Sequence, residues 1–161
     1  MIPQYITFLL FIFSVTTPSN YATPKDGAVT PFWNAFQSGT IALIAHNYKA
    51  GEYFDDLTIN DEIVLIYSDK HIEKYVVSEM VKYIALQPSS VYSDFVPDGG
   101  GVLMTSTQLY REIYGADDSR IVLQTCYDGN NGRLFILAYP KKEEQVSNHE
   151  QDEFISQRGM R

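Results

Sequence analysis

The middle of the chain alternates short apolar runs with turn-forming residues, and this pattern limits the fold more than any other feature. Two runs are Thr40–Ala45 (TIALIA) and Glu62–Tyr67 (EIVLIY). Two more are Arg120–Cys126 (RIVLQTC) and Arg133–Tyr139 (RLFILAY), joined by YDGNNG. Short apolar runs bounded by Asp-Gly and Asn-Gly pairs are typical of strands and turns. The sequence therefore predicts a mostly β fold.

Two longer stretches predict the remaining elements. Ile72–Ile84 carries aromatic residues and valines at alternate positions, which fits a long or bent strand and leaves a helix as the alternative. Ser106–Tyr114 predicts one short helix that ends at Gly115. Abundant aromatic residues, 12 Tyr and 9 Phe, agree with a β-rich domain that has one or two short helices.

The ends of the chain predict segments outside this domain. Residues 1–24 carry no charged side chain, and Tyr5–Val15 is an apolar run of about 11 residues, short of the 17 to 20 that cross a bilayer. A cleaved export signal, with cleavage after Ala22, is therefore favoured, and an uncleaved form would tether the domain to a membrane. Residues 25–140 are assigned to one domain, and the charged segment 141–161 to a disordered tail.

Charge and cysteine content exclude several classes of function. The net charge of −8 and the lack of clustered Lys and Arg argue against nucleic acid as a partner. A single cysteine, Cys126, excludes an internal disulfide and a multi-cysteine zinc site. The acidic pairs Asp55-Asp56 and Asp61-Glu62 could hold Ca²⁺, but turn and surface roles are favoured. No metal or cofactor is expected.

Three residues have the chemistry of an acyl-transfer site. A strand that ends at Cys126, a six-residue turn and a strand that begins at Arg133 place a thiol beside a guanidinium. His46 ends another apolar run, next to a loop that contains glycine. A thiolate attacks a carbonyl, an imidazole protonates the leaving amine and a fixed cation stabilises the oxyanion. Thr125 is a weaker candidate, for substrate contact or for packing near the thiol.

Each of these residues also has a structural interpretation. Cys126 would be a small buried apolar residue, and His46 a hydrogen-bonded structural histidine. Arg133 would be a strand-edge charge paired with Asp128 or another carboxylate. A lone thiol in an exported chain is exposed to oxidation, so its presence favours a use for it.

The segments around these residues resemble the sortases. IALIAHNYKAGEYFDDLTINDEIVLIY resembles the sortase block in which Ala-His-Asn precedes a Gly, an aromatic residue, a Leu and a Gly-Asp pair. VLQTCYDGNNGRLFILAYP resembles the TLxTC signature followed by the Arg that begins the last strand. With YVVSEMVKYIALQPSSVYSDF between them, the resemblance covers about Pro31–Pro140. Val122 stands where the signature has its first Thr, and Asn60 where the family has Gly before Asp61.

The resemblance implies an eight-stranded sortase β-barrel, an extracytoplasmic location and a cysteine transpeptidase. Its catalytic residues would be His46, Cys126 and Arg133. The implied partners are a sorting-signal peptide and an amine acceptor, of the peptidoglycan type or a pilin lysine. Two alternatives stay open, a secreted cysteine hydrolase and a non-catalytic extracellular module that binds peptides.

Overall fold

A single sheet of nine strands closes on itself in the computed structural model, which describes residues 1–142. The strands are β1 (Tyr5–Phe8), β2 (Phe11–Val15), β3 (Ala28–Pro31), β4 (Ile41–Ile44), β5 (Glu62–Ile66), β6 (Ile72–Ala85), β7 (Phe95–Pro97), β8 (Ile121–Tyr127) and β9 (Gly132–Pro140). The helices are α1 (Trp33–Gln37), α2 (Ser106–Tyr114) and a 3-10 turn at Ala50–Phe54. Within the described residues no helix has the length and apolar character needed to span a bilayer.

Eight of the strands form a closed ring. The order β5-β1-β2-β3-β4-β8-β9-β6 returns to β5, because β6 also pairs with β5. Strand β7 lies outside the ring and pairs with the far end of β6. The expected eight-stranded barrel with few helices is thus confirmed.

Strand β6 is the longest element and settles the ambiguity between strand and helix. It runs for 14 residues and pairs along its length with β9. Its other edge pairs first with β5 and then with β7. A bulge between Val77 and Glu79 bends this strand, in agreement with the predicted long or bent strand.

The N-terminal segment lies inside the domain, which differs from the predicted domain boundary at residue 25. Strands β1 and β2 form a hairpin, and β1 pairs with β5. Ile6, Phe8 and Phe13 are almost fully buried in the barrel. An uninterrupted apolar run fits a signal peptide and a buried hairpin equally well, and only the distant partner β5 distinguishes the two. Residues 5–15 thus pair with the barrel strands, while the domain boundary at residue 25 and the export of the chain stay predictions.

Side-chain alternation along the strands creates two cores. Leu43, Leu123 and Leu134 face the barrel interior. Their neighbours Ala42, Val122 and Phe135 face outward and pack against α2. The outer barrel wall next to α2 is therefore a second buried surface. The part of this wall that α2 does not cover borders a groove.

Helix α2 forms as predicted because both ends have suitable capping residues. Thr105 and Gln108 make a reciprocal capping box, with backbone-to-side-chain bonds of 3.2 and 2.8 Å. The Gly115 N–H donates to Arg111 O and closes the last turn. Of the predicted tail, residues 143–161 lie outside the described part of the chain.

Candidate active site

The sheet register and one groove bring the three predicted catalytic residues together. Cys126 on β8 is the direct register partner of Arg133 on β9. Strand β4 runs parallel to β8 with Ile44 opposite Gln124. His46 lies two residues past the end of β4 and lines the same groove as Cys126 and Arg133. Alternation puts the side chains of Cys126 and Arg133 on the outer face of the barrel wall.

These residues line one groove of about 420 Å³ on the side of the barrel where α2 packs. Its apolar wall includes Phe32, Leu109 and Tyr110. Among the described residues that line it, His46 and Arg133 are the basic ones and none is Asp or Glu. A groove without carboxylates, in a chain of net charge −8, favours a substrate group that becomes negative.

The Cys126 thiol is partly exposed at this groove rather than buried in a core. It donates to the side-chain oxygen of Asn130, with 3.2 Å between Sγ and Oδ1. Asn130 belongs to the turn between β8 and β9, which the sequence predicts only as a turn. The structural interpretation of Cys126 as a small buried apolar residue is therefore wrong.

Backbone carbonyls orient the Arg133 guanidinium. Nη1 donates to Asn130 O at 2.8 Å and to Gly132 O at 3.0 Å, and Nη2 donates to Pro88 O at 2.9 Å. In residues 1–142 Arg133 has no carboxylate partner, so the predicted alternative of a pair with Asp128 is wrong. Three of the five guanidinium N–H groups are used in these bonds, which leaves two donors for a ligand.

His46 follows the end of β4 at the groove margin. Its ring stacks on Tyr48, with 5.0 Å between the ring centroids and 19° between the planes. Its carbonyl accepts from Lys49 N and Gly51 N, both at 3.0 Å, and these bonds hold the backbone behind the ring. The His46 side chain also lines the groove.

Thr125 has a position different from the other three candidates. Its side chain is buried on the interior face, and Oγ1 donates to Ala45 O at 2.9 Å. Glycine is required opposite this bond, because a Cβ on Gly51 would lie 2.3 Å from Thr125 Oγ1. The bond joins the ends of β4 and β8 directly behind His46 and Cys126.

The aromatic wall of the groove is neutral. The Tyr114 hydroxyl donates to Gln124 Oε1, and burial raises the pKa of Tyr114 far above its ordinary value. This phenol stays protonated at neutral pH.

The acidic pairs considered for Ca²⁺ serve turns and ion pairs. Asp61 Oδ2 accepts from Thr58 N at 2.7 Å, and Asp55 lies 3.1 Å from Lys82 Nζ. Glu62 binds Lys141, and that bond is the main cause that lowers the Glu62 pKa. No cluster of three metal-binding side chains occurs within residues 1–142.

Comparison with known proteins identifies the fold. No family model and no curated protein sequence matches the chain. Among solved structures, sortase A from Corynebacterium diphtheriae superposes with a TM-score of 0.59 at 14% identity, over 90% of this chain and 63% of that one. The chain thus spans less than two thirds of that sortase.

Two further sortases give the same result. Sortase C1 from Streptococcus agalactiae has a TM-score of 0.56 at 12% identity, with 88% of this chain and 68% of that one covered. The sortase D5 transpeptidase from Clostridium perfringens has a TM-score of 0.54 at 18% identity, with 86% and 78% covered. The chain has the sortase fold, as its sequence motifs predict.

Proposed function

We propose that this protein is a sortase-type cysteine transpeptidase. The observation that carries the proposal is the pairing of Cys126 with Arg133 and the presence of His46 in the same groove, whose described lining has no carboxylate. A thiol, an imidazole and an oriented guanidinium supply the nucleophile, the proton donor and the oxyanion partner of acyl transfer.

The reaction takes place in two transfers. The Cys126 sulfur, deprotonated, bonds to a carbonyl carbon of the sorting peptide, the C–N bond breaks, and His46 gives its proton to the leaving amine. A second amine then attacks the thioester, the C–S bond breaks, and the attacking amine returns a proton to His46. The free N–H groups of Arg133 stabilise the negative oxygen in both steps. Thr125 acts as a positioning residue that ties the two strand ends together.

The substrates follow from this chemistry. The donor is the sorting-signal peptide of an exported protein, and the acceptor is an amine of the peptidoglycan type or a pilin lysine. We place the enzyme outside the cytoplasmic membrane, secreted or held at its outer face, where both substrates occur.

The first experiment asks whether Cys126 forms a thioester. The purified protein is incubated with a library of sorting-like peptides and analysed by intact mass. A peptide adduct is expected on the parent protein and not on Cys126→Ala. This variant should keep the circular dichroism spectrum of the parent, because the substitution removes only one sulfur atom. Equal adduct on both proteins would exclude Cys126 as the nucleophile.

The second experiment separates transpeptidase from hydrolase. Glycine peptides or hydroxylamine are added during turnover, and the products are separated. Amide or hydroxamate product that increases with amine concentration is expected. Acid product at every amine concentration would favour the cysteine hydrolase, and no cleavage of any peptide would favour the binding module.

His46 is tested by the pH dependence of the same assay. A bell-shaped profile is expected for the parent protein, because the reaction needs one deprotonated and one protonated group. His46→Ala should remove most turnover and flatten the profile. A variant that keeps both limbs of the bell would exclude His46 as the proton donor.

A further inference from the structure

The turn between β8 and β9 brings a side-chain amide against the candidate nucleophile. Asn130 Oδ1 accepts from Cys126 Sγ at 3.2 Å, and Asn130 Nδ2 donates to Pro88 O at 3.3 Å. Pro88 O also accepts from Arg133 Nη2 at 2.9 Å. One carbonyl of the segment between β6 and β7 therefore joins the partner of the thiol to the guanidinium.

The Pro88 carbonyl determines which way the Asn130 amide faces. A carbonyl oxygen only accepts hydrogen bonds, so the NH₂ end of the amide must face Pro88. The amide oxygen is then directed at the sulfur. An oxygen acceptor stabilises a thiol that keeps its proton and opposes the charge of a thiolate.

We infer that Asn130 is a positioning residue that holds the Cys126 thiol in its protonated form at rest. The Asn130 backbone carbonyl, which accepts from Arg133 Nη1 at 2.8 Å, places the guanidinium in the same network. The inference concerns the nucleophile of the proposed function, but it is tested without any peptide.

The experiment measures alkylation of the single cysteine by iodoacetamide as a function of pH. Asn130→Ala removes the acceptor, so the midpoint of the alkylation profile should fall by about 0.5 to 1 pH unit, the size expected for one hydrogen bond. Asn130→Asp keeps the shape but adds a negative charge beside the sulfur, so its midpoint should rise by about 1 to 2 pH units.

Two controls isolate the contact with the thiol. Asn131→Ala changes the neighbouring residue, whose side chain bonds to Asp128 within the turn, and should leave the midpoint unchanged. Urea unfolding of each variant reports any loss of stability separately. Midpoints of Asn130→Ala and Asn130→Asp that equal the parent value would overturn the inference, even if both variants were less stable.

The outcomes also separate this inference from the proposed function. Shifted midpoints in opposite directions, with no peptide ever cleaved, would support the inference and reject the transpeptidase. Unchanged midpoints in a protein that forms the peptide adduct would reject the inference and leave the transpeptidase in place.

Discussion

Backbone carbonyls orient the Arg133 side chain. The three partners of the guanidinium are Asn130 O in the turn after β8, Gly132 O at the start of β9 and Pro88 O. Backbone carbonyls carry partial charges only, so they orient the cation without neutralising it. An ion pair with a carboxylate would have removed the positive potential that an oxyanion needs.

Arg133→Lys should reduce turnover by about 10²- to 10³-fold although the charge is kept, because an ammonium on a flexible stem cannot reproduce the planar set of donors. Peptide cleavage rates under saturating substrate test this. Arg120→Lys is the matched control, since Arg120 pairs with Asp118 away from the groove and should keep the parent rate. Near-parent turnover of Arg133→Lys would contradict the role of the guanidinium.

Gly51 lies where the 3-10 turn touches the ends of β4 and β8. A Cβ there would meet Thr125 Oγ1 at 2.3 Å and the carbonyl oxygen of His46 at 2.7 Å. Gly51→Ala should therefore cost about 1–3 kcal/mol of unfolding free energy, as overpacking does, and also reduce turnover. Urea titration and cleavage assays measure the two effects.

Thr125→Ala in the Gly51→Ala background should recover part of the lost stability, because it removes the Thr125 hydroxyl, the nearest atom that the added Cβ would meet. If the changes in unfolding free energy of the two single substitutions simply add in the double variant, the Cβ at position 51 does not meet the Thr125 hydroxyl.

At the scale of elements, the β5–β6 hairpin carries a charge cluster outside the groove that holds the candidate catalytic residues. His71 Nδ1 lies 3.1 Å from Asp69 Oδ1, and Nε2 lies 3.5 Å from Glu73 Oε1. The ring stacks on Tyr67, with 4.1 Å between centroids. The hydrogen bond with Asp69, followed by the bond with Glu73, raises the pKa of His71 above its ordinary value.

A raised pKa in the folded state means that the protonated form of His71 stabilises the fold. This contribution is complete below about pH 6.5, the ordinary histidine value, and is lost as the pH rises through the higher folded value. Urea midpoints measured from pH 5.5 to 8.5 should fall more steeply for the parent protein than for His71→Gln. The rest of the chain is the same in both proteins, so its contribution cancels in the difference.

Salt provides the control for this pH effect, because His71 and its carboxylates are exposed and ions screen them. The difference between the two proteins should shrink in about 0.5 M NaCl, where the screening length is only a few ångströms. Parallel pH dependences at low salt would show that His71 does not contribute to stability in this way.

At the scale of the whole molecule, closure of the barrel depends on its first hairpin. Strand β1 pairs with β5, and β2 pairs with β3, so these two strands complete the ring. Removal of residues 1–22 would leave two open edges and expose the apolar surface that Ile6, Phe8 and Phe13 now cover.

A chain that begins at Thr23 should therefore lose the cooperative thermal transition of the full chain. Near-UV circular dichroism during heating measures this transition. The control is a truncation of similar length after Lys142. Its thermal transition should equal that of the full chain, because the segment removed is predicted to be a tail outside the domain. If the chain from Thr23 unfolds at the parent temperature, β1 and β2 are dispensable, and a cleaved export signal is supported. The N-terminus of protein recovered from an exporting host tests cleavage directly.

Local pattern was sufficient for about half of the elements. The runs at β4, β5, β8 and β9 and the helix α2 are visible in the sequence because turn residues and periodic burial are local properties. The hairpin β1–β2 was missed for a definite reason. The sequence of an apolar segment does not indicate which strand it will pair with, and the partners of β1 on β5 lie 55 to 61 residues further along the chain.

The sequence by itself determined the residue types of the candidate site and the adjacency of Cys126 and Arg133, because a short turn between two strands forces their ends together. Only the tertiary structure decided that His46 joins them, since the parallel pairing of β4 with β8 links segments about 80 residues apart. It also decided that Thr125 faces inward and that Asn130 contacts the thiol. These facts depend on register and on which face each side chain takes, and register is set by the closed ring as a whole.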